Sequence, residues 1–444
     1  MNIYFPLETQ QRELTARVLF CLEAAKRGHK AFFGHKSNIF PLIPKLKRGI
    51  FMHKSIQKRK ITQINELSRL GHFNCSIDEE AVMIPDEDEY FNYRCTRNCL
   101  DALDIFFTWG EKHKSIVINK YPDLKEKVVN AGNSRIDVLK DKQRYNELAL
   151  RIQKRYGKFI LFVTKFGRYN LKKRGFDTWA EMKLKNNPHV SDKSYQRILQ
   201  SIEFEKNNMN LTMETILTIS KDFPDHNILI RPHPTENIET WEDFAKEADV
   251  PNIKVVFSAE SINQWLLAAD HVISHNCTTS VESAILGVTS INYIPYSLET
   301  FEYDLPKVCS HTVRNYEEIK TIINSKKKLN MDEKLIQYYV HNFNQGSFTD
   351  YSLSFLEENL EQTIYDKNNE YMKVMFLPIA KLYKLIRKYL SLYFGPLRRR
   401  RGIVSQKYPG FSKQDVIDVA MLFEPKLSIQ INEVWPGVFL FEKK

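Results

Sequence analysis

HNILIRPHPTE (His226–Glu236) and DHVISHNCTTSVESAILG (Asp270–Gly287) decide how this chain reads. Each opens with a short apolar run of strand length and passes at once into polar residues. Each therefore marks the carboxyl end of a strand in an α/β sheet, the edge where such sheets hold ligands. Arg231 and His233 offer donors to a phosphate, and Pro234 stiffens their turn. Thr278, Thr279 and Ser280 stand where the next helix begins, with backbone N–H groups pointing outward. The pair reads as a site for a sugar nucleotide with an anionic leaving group.

Outward from these segments the chain alternates strand and helix. KFILFVT (Lys158–Thr164), a long helix around Tyr195–Lys221, ILI, a helix over Glu239–Ala248, IKVVF, a helix over Ser261–Ala268, HVIS, a helix over Thr278–Leu286 and TSINYI make one block. MNIYF, a helix over Gln10–Arg27, KAFFG, GIFMH, FNCSI, DIFFTW and KVVNAG make an earlier one. The charged stretch Asp137–Lys158 separates them. The expected fold is α/β, with two Rossmann-like domains in tandem (GT-B-like), a cleft between them and a C-terminal basic amphipathic helical segment. The expected boundaries are 1–150 for the N-terminal, acceptor-side domain, 151–345 for the nucleotide-sugar-binding domain, and 346–444 for C-terminal helices, a membrane-associating segment and closing elements. Helical patterns over Met331–Gln345 and Ser352–Ile364 are expected to close the second domain. QKYPGFSKQDVIDVAMLF and SIQINEVWPGVFLFEKK read as a helix and strands packing back on the body.

The net charge is +11, and nine of the surplus positive residues lie between Tyr371 and Val404, a stretch without any acid. The basicity is thus local, and with no nucleic-acid-binding motif the chain is not expected to bind DNA or RNA. The six cysteines form no regular framework and read as reduced thiols. No secretory leader and no membrane-spanning apolar run is evident, so a cytoplasmic protein is expected.

IYFPLETQQRELTAR (Ile3–Arg17), the GHK turn (Gly34–Lys36), DEEA (Asp78–Ala81), TWGEKH (Thr108–His113), GNSRIDVL (Gly132–Leu139), RPHPTE and HNCTTSVESA (His275–Ala284) resemble, in this order, bacterial surface-carbohydrate biosynthesis proteins. That family is similar to the β-Kdo transferases of capsule and O-antigen assembly and, more remotely, to GT-B sialyltransferases. The resemblance covers most of residues 1–300. It implies a glycosyltransferase with a CMP-activated acidic sugar as donor, and a His-Pro motif, here His233 and Pro234, that holds or protonates the leaving phosphate. Asp78, Glu79 and Glu80 match the family's acidic motif, from which a base or nucleophile comes. Ala81 replaces the glycine usual after that motif, which leaves open which carboxylate faces the substrate.

Three adjacent carboxylates are costly unless one is protonated, paired or solvated, so a perturbed pKa is expected among them. Thr278, Thr279 and Ser280 match the phosphate turn, with Ser274 just before it. Glu282 either receives ribose hydroxyls or complements the helix dipole. His275 either contacts the nucleotide or caps the turn. Thr164 and Lys165 stand where a polar residue faces the donor, in a segment that carries a charge of +5 from Lys165 to Lys185. Asn133 and Arg135, at the end of the first domain's last strand, are candidates to line the cleft on the acceptor side. No cofactor is called for, and no D-x-D motif requires a metal.

From Lys381 to Phe394 apolar residues recur at helical spacing opposite Lys381, Lys384, Arg387 and Lys388, followed by Arg398, Arg399, Arg400 and Arg401. Such a helix can lie on an anionic membrane surface. With a glycan or lipid-linked acceptor, this places the expected enzyme at the inner face of the cytoplasmic membrane. Two other readings share the sequence: a transferase of polyol phosphate from a CDP-alcohol, of teichoic-acid type, and a non-catalytic, membrane-docked assembly factor. A nucleotide-sugar epimerase is a third.

Overall fold

The structure, a computed structural model, describes residues 1–8, 10–84, 86–172, 178–186, 191–257, 261–325, 331–360 and 410–444. The basic stretch from Lys381 to Arg401, together with Lys173 and Arg174, lies outside the described residues. β1 (Asn2–Tyr4), β2 (Lys30–Gly34), β3 (Ile50–His53), β4 (Phe73–Ile77), β5 (Ile105–Thr108) and β6 (Val128–Asn130) fall on the six apolar runs of the first block. β7 (Phe159–Val163), β8 (Asn227–Arg231), β9 (Ile253–Val255), β10 (His271–Ser274), β11 (Ser290–Tyr293) and β12 (His311–Val313) follow. β13 (Ile429–Trp435) and β14 (Val438–Lys443) close the chain as a hairpin.

These strands form two sheets in two compact units, Met1–Val138 with Gln337–Lys444, and Leu139–Ile336. In the first unit the order is β13-β14-β2-β1-β3-β4-β5-β6, with β1 to β6 parallel and β14 antiparallel to β2. The parallel part reverses direction at β1 and β3, a topological switch point. Val18, Cys21 and Leu22 of the helix Gln10–Lys26 are fully buried, as their spacing requires. The core they enter also holds Phe348, Leu353 and Leu356 of the helix Phe348–Asn359, and Val416 and Ala420 of the helix Lys413–Met421.

The domain limits therefore differ from the expected 151–345 and 346–444. Everything described after Gln337 packs into the first unit. Asp137 is the physical reason. Its carboxylate accepts from Asn342 Nδ2 (2.6 Å), Ser347 Oγ (3.0 Å), Thr349 Oγ1 (2.9 Å) and the backbone N–H groups of Phe348 and Thr349 (both 2.9 Å). A negative charge on the first turn of a helix satisfies orphan donors and the dipole together. Beside it Gly132, at φ +87°, lies against the Asn342 side chain with no room for a Cβ.

The second unit has the order β12-β11-β10-β7-β8-β9, all parallel. Read from β9, this is the strand order 3-2-1-4-5-6 of a Rossmann fold, with its switch point between β7 and β10. The helix Asp192–Asp222 begins at a Ser191 cap and buries Met209, Ile216 and Ile219 against Ile160, Phe162 and Ile228. β12 was not expected: its three residues HTV make no apolar run, and it holds its place by pairing with β11.

Candidate functional site

The second unit gathers its motifs at one sheet edge. β8, β7 and β10 are neighbours, and the loops leaving their carboxyl ends carry Arg231–Glu236, Thr164–Arg168 and Ser274–Thr278. Two contacts stitch these loops together. Thr164 Oγ1 donates to Glu236 Oε1 at 2.8 Å, and Lys165 Nζ donates to the carbonyl of Asn276 at 3.1 Å. Asn276 has a φ of +42°, a left-handed conformation that Asn tolerates better than most residues. It is held there by Asn292, Phe301 and Tyr303, through its N–H, its Nδ2 and its Oδ1 respectively.

Glu236 organises the His-Pro turn. Buried, it accepts from the N–H of His233 (3.0 Å) and, through Oε2, from Trp241 Nε1 (2.9 Å), besides Thr164. Burial raises its pKa. His233 itself is exposed, and its Nδ1 accepts from the N–H of Thr235 (3.2 Å) and lies 2.7 Å from the Thr235 hydroxyl. The ring proton of the neutral imidazole is therefore on Nε2, which makes that atom a hydrogen-bond donor. Arg231 ends β8 half-buried, and Pro234 is exposed.

Beside the switch point, Lys165, Arg168, Phe204, Glu205, His275, Asn276, Phe301 and Tyr303 line a small recess of about 10 Å³, the room of about one water. His275 lies between the rings of Phe166 and Phe204, at 4.7 and 5.7 Å. Its Nδ1–H donates to the carbonyl of Tyr293 at 2.9 Å, so Nε2 carries a lone pair; that buried atom has no hydrogen-bond partner among the described residues. Burial lowers its pKa to about 4. Glu205, half-way along the helix Asp192–Asp222, accepts the N–H of Arg168 at 2.6 Å, and burial pushes its pKa up to about 7. Lys165 Nζ stands 4.9 Å over the Tyr303 ring.

The helix Thr279–Leu286 starts beyond β10 as its sequence implied. The hydroxyls differ from the expectation. Ser274 and Ser280 are buried and face each other (Oγ to Oγ, 3.2 Å), and Thr279 is buried as well. Thr278 and Glu282 are half-buried. Serine side chains at these positions satisfy one another because the helix buries its first turn, Thr279 and Ser280 included.

The first unit builds a different edge. Each of the three adjacent carboxylates meets an arginine. Arg94 grips Asp78 through Nε (2.9 and 2.7 Å) and its terminal nitrogen, and reaches Glu80 at 2.9 Å. Buried Arg17 donates to Glu79 Oε1 at 2.7 Å and to Ser134 Oγ at 3.2 Å, with its guanidinium over the Phe5 ring. Burial would raise the Glu79 pKa, but Arg17, Arg135 and Lys54 outweigh it and hold the carboxyl below the usual range. The perturbation expected in this triplet thus runs toward the ionised form. Asn133 is buried; its Oδ1 accepts the N–H of Arg135 (3.0 Å), and Asn342 brackets its backbone. Arg135 is half-buried. Glu8, Glu13, Lys36 and Lys54 extend the network: Lys54 joins Glu8 (3.2 Å) and Glu13 (2.7 Å), and Lys36 joins Glu8 (2.8 Å).

Glu205, Glu236, Arg17 and Asp137 carry much of this geometry without having been singled out. For Glu205 a signal exists: Ser201, Glu205, Asn208, Thr212 and Thr215 put polar residues on the buried face of one helix. All six cysteines are buried free thiols. Among the described residues no group of three or more His, Cys, Asp or Glu could hold a metal, and no helix is long and apolar enough to cross a membrane.

No family model matches the chain, and no curated protein matches it in sequence. Solved structures match it in fold. UDP-GlcNAc 2-epimerase from Neisseria meningitidis, bound to UDP-GlcNAc, is similar with a TM-score of 0.53 at 12% identity, over 81% of this chain and 100% of that one. The Methanocaldococcus jannaschii enzyme in complex with UDP-GlcNAc and UDP gives 0.51 at 13%, over 81% and 100%. UDP-N-acetylglucosamine 2-epimerase from Rickettsia bellii gives 0.50 at 12%, over 81% and 96%. The chain has the GT-B type of fold, two Rossmann-like domains in one polypeptide.

Proposed function

We propose that this chain is a glycosyltransferase of bacterial surface polysaccharide assembly, transferring an acidic sugar such as Kdo from a CMP-linked donor to a glycan or lipid-linked acceptor. The observation that carries the reading is the stitched edge of the second unit, where Lys165, Arg231 and the Nε2–H of His233 offer cations and a donor at the ends of neighbouring strands. Donors fixed before the reaction stabilise developing negative charge without reorganising. His233 and Arg231 would receive the leaving phosphate, so the step needs no divalent metal. The similar folds whose structures hold UDP-GlcNAc or UDP support a nucleotide sugar as ligand class. The CMP donor and the acidic sugar rest on the ordered motifs.

Asp78 is gripped by Arg94 and Glu79 by Arg17, whereas Glu80, with 55% of its side chain exposed, makes its salt bridge at the surface. Glu80 is therefore the carboxylate to test first as the base. The basic run from Lys381 to Arg401 would hold the enzyme on an anionic leaflet; co-sedimentation with phosphatidylglycerol vesicles that survives neutralising those residues would remove this part.

A thermal-shift titration with CMP, CDP, UMP, UDP and GDP, with and without magnesium, tests the donor. Selective stabilisation by CMP without magnesium is expected. Selectivity for CDP, with a phosphodiester in the product, would favour polyol-phosphate transfer; selectivity for UDP would point to a UDP-sugar enzyme such as an epimerase. No response to any nucleotide would leave the assembly factor.

A further inference from the structure

We infer that the carboxyl edge of the first unit's sheet binds a phosphate group, held by the ammonium groups of Lys36, Lys54 and Lys60. This concerns the first unit alone and goes beyond the sugar-nucleotide reading of the second. Three neighbouring strands deliver the charges. β2 leads to Lys36, β1 to Glu8 and β3 to Lys54, around the switch point between β1 and β3 where open α/β sheets bind ligands. Lys60 ends the short 3-10 turn Lys58–Lys60 that follows β3.

The carboxylates paired at this edge fall short of its cations. Arg17 takes Glu79 (2.7 Å) and Lys54 takes Glu13 (2.7 Å). Glu8 remains, with Lys36 on one oxygen (2.8 Å) and Lys54 also on the other (3.2 Å). The ammonium of Lys60 has no ion pair or hydrogen bond among the described residues. It is half-buried, and burial together with the charges of Lys54 and Lys36 brings its pKa down to about 8, against the pull of Glu8. Exposed Arg59 adds a further positive charge beside it. Like charges drawn together away from water are costly until an anion answers them. The place is open to one, since the side chains of Lys36 and Glu8 are 33% and 24% exposed. A phosphate carries nearly twice the charge of a carboxylate, and lysine meets it as a point charge without a fixed orientation.

The test is trace acetylation of the full chain by acetic anhydride, each lysine's rate read by mass spectrometry, in chloride and in inorganic phosphate of matched ionic strength. A bound anion raises the pKa of Lys60 by about one unit or more, so at about pH 7 phosphate should slow its acetylation roughly tenfold. Exposed Lys254 should keep its rate, and in Lys36→Met the protection of Lys60 should be lost. Protection by glycerol 3-phosphate at lower concentration than by inorganic phosphate would assign the site to a phosphate ester, and the reverse to the free ion; both support it. Equal rates at Lys60 in phosphate and chloride would overturn the inference. So would equal slowing of Lys254, protection by acetate as strong as by phosphate, or protection that survives in Lys36→Met. Lys165 reports the second unit's edge in the same experiment, so the two readings fail separately. The wild-type comparison stands even where the variant fails to fold.

Discussion

The carboxyl edges of the two sheets follow opposite electrostatic plans. In the first unit charges alternate from Lys36 through Glu8, Lys54, Glu13 and Arg17 to Glu79, and each is answered by the next. In the second, burial pushes three groups toward neutrality: His275 to about 4, Glu205 to about 7, and Glu236 upward. A chain of ion pairs fixes the loops that hold it. Of the three, His275 keeps a buried acceptor, Nε2, without a hydrogen-bond partner among the described residues. The contrast separates an edge braced by charge pairs from one where burial holds three groups neutral.

Breaking the ion chain should have the largest effect. Arg17→Met leaves Glu79 buried and unpaired, which should lower the unfolding free energy by about 3–5 kcal/mol in urea denaturation. A loss below about 1 kcal/mol would mean that the lattice is not what fixes the first edge. His233→Ala removes an exposed ring, so its melting temperature should match the wild type while turnover drops by about 100-fold or more. Unchanged turnover would take His233 out of the chemistry.

Glu205 sharpens the comparison through pH. Its folded pKa, about 7, lies above the ordinary carboxylate value, so between the two the folded state binds the extra proton. Stability must then fall as pH rises from about 5 to about 7. Glu205→Gln should remove that loss and exceed the wild type at pH 8 by on the order of 1–2 kcal/mol. Glu302 provides the opposite sign. Burial would raise its pKa, but Arg314, Ser297 and Lys307 overcome this and bring it to about 2, so its contribution is present above the ordinary range and is lost in acid. The smallest effect belongs to Ser280→Ala, which leaves Ser274 without this hydroxyl partner and should cost about 1 kcal/mol.

Much of the fold was legible because parallel strands buried on both faces must be short apolar runs, and MNIYF, FNCSI and KFILFVT are such runs. β12 was not, since HTV has no such pattern. The domain limits escaped for another reason: what attaches the chain after Gln337 is Asp137 reaching Asn342, Ser347 and Thr349, and nothing local marks a partner two hundred positions away. In the candidate site, the His-Pro turn and the helix after β10 could be placed from turn and helix signals. The inward facing of Ser274 and Ser280, and the direction of the Glu79 shift, depend on which neighbours the fold supplies.

The hairpin β13-β14 also sets an order of events in synthesis. β2 acquires β14 as its neighbour only after all of Leu139–Ile336 has been made, and the helix Gln10–Lys26 waits as long for Leu353, Val416 and Ala420. The second unit is continuous in sequence and can close as soon as it emerges. The half of the molecule translated first is thus completed last, and in the interval the edge of β2, with Phe32 and Phe33, is open to pairing with other nascent chains.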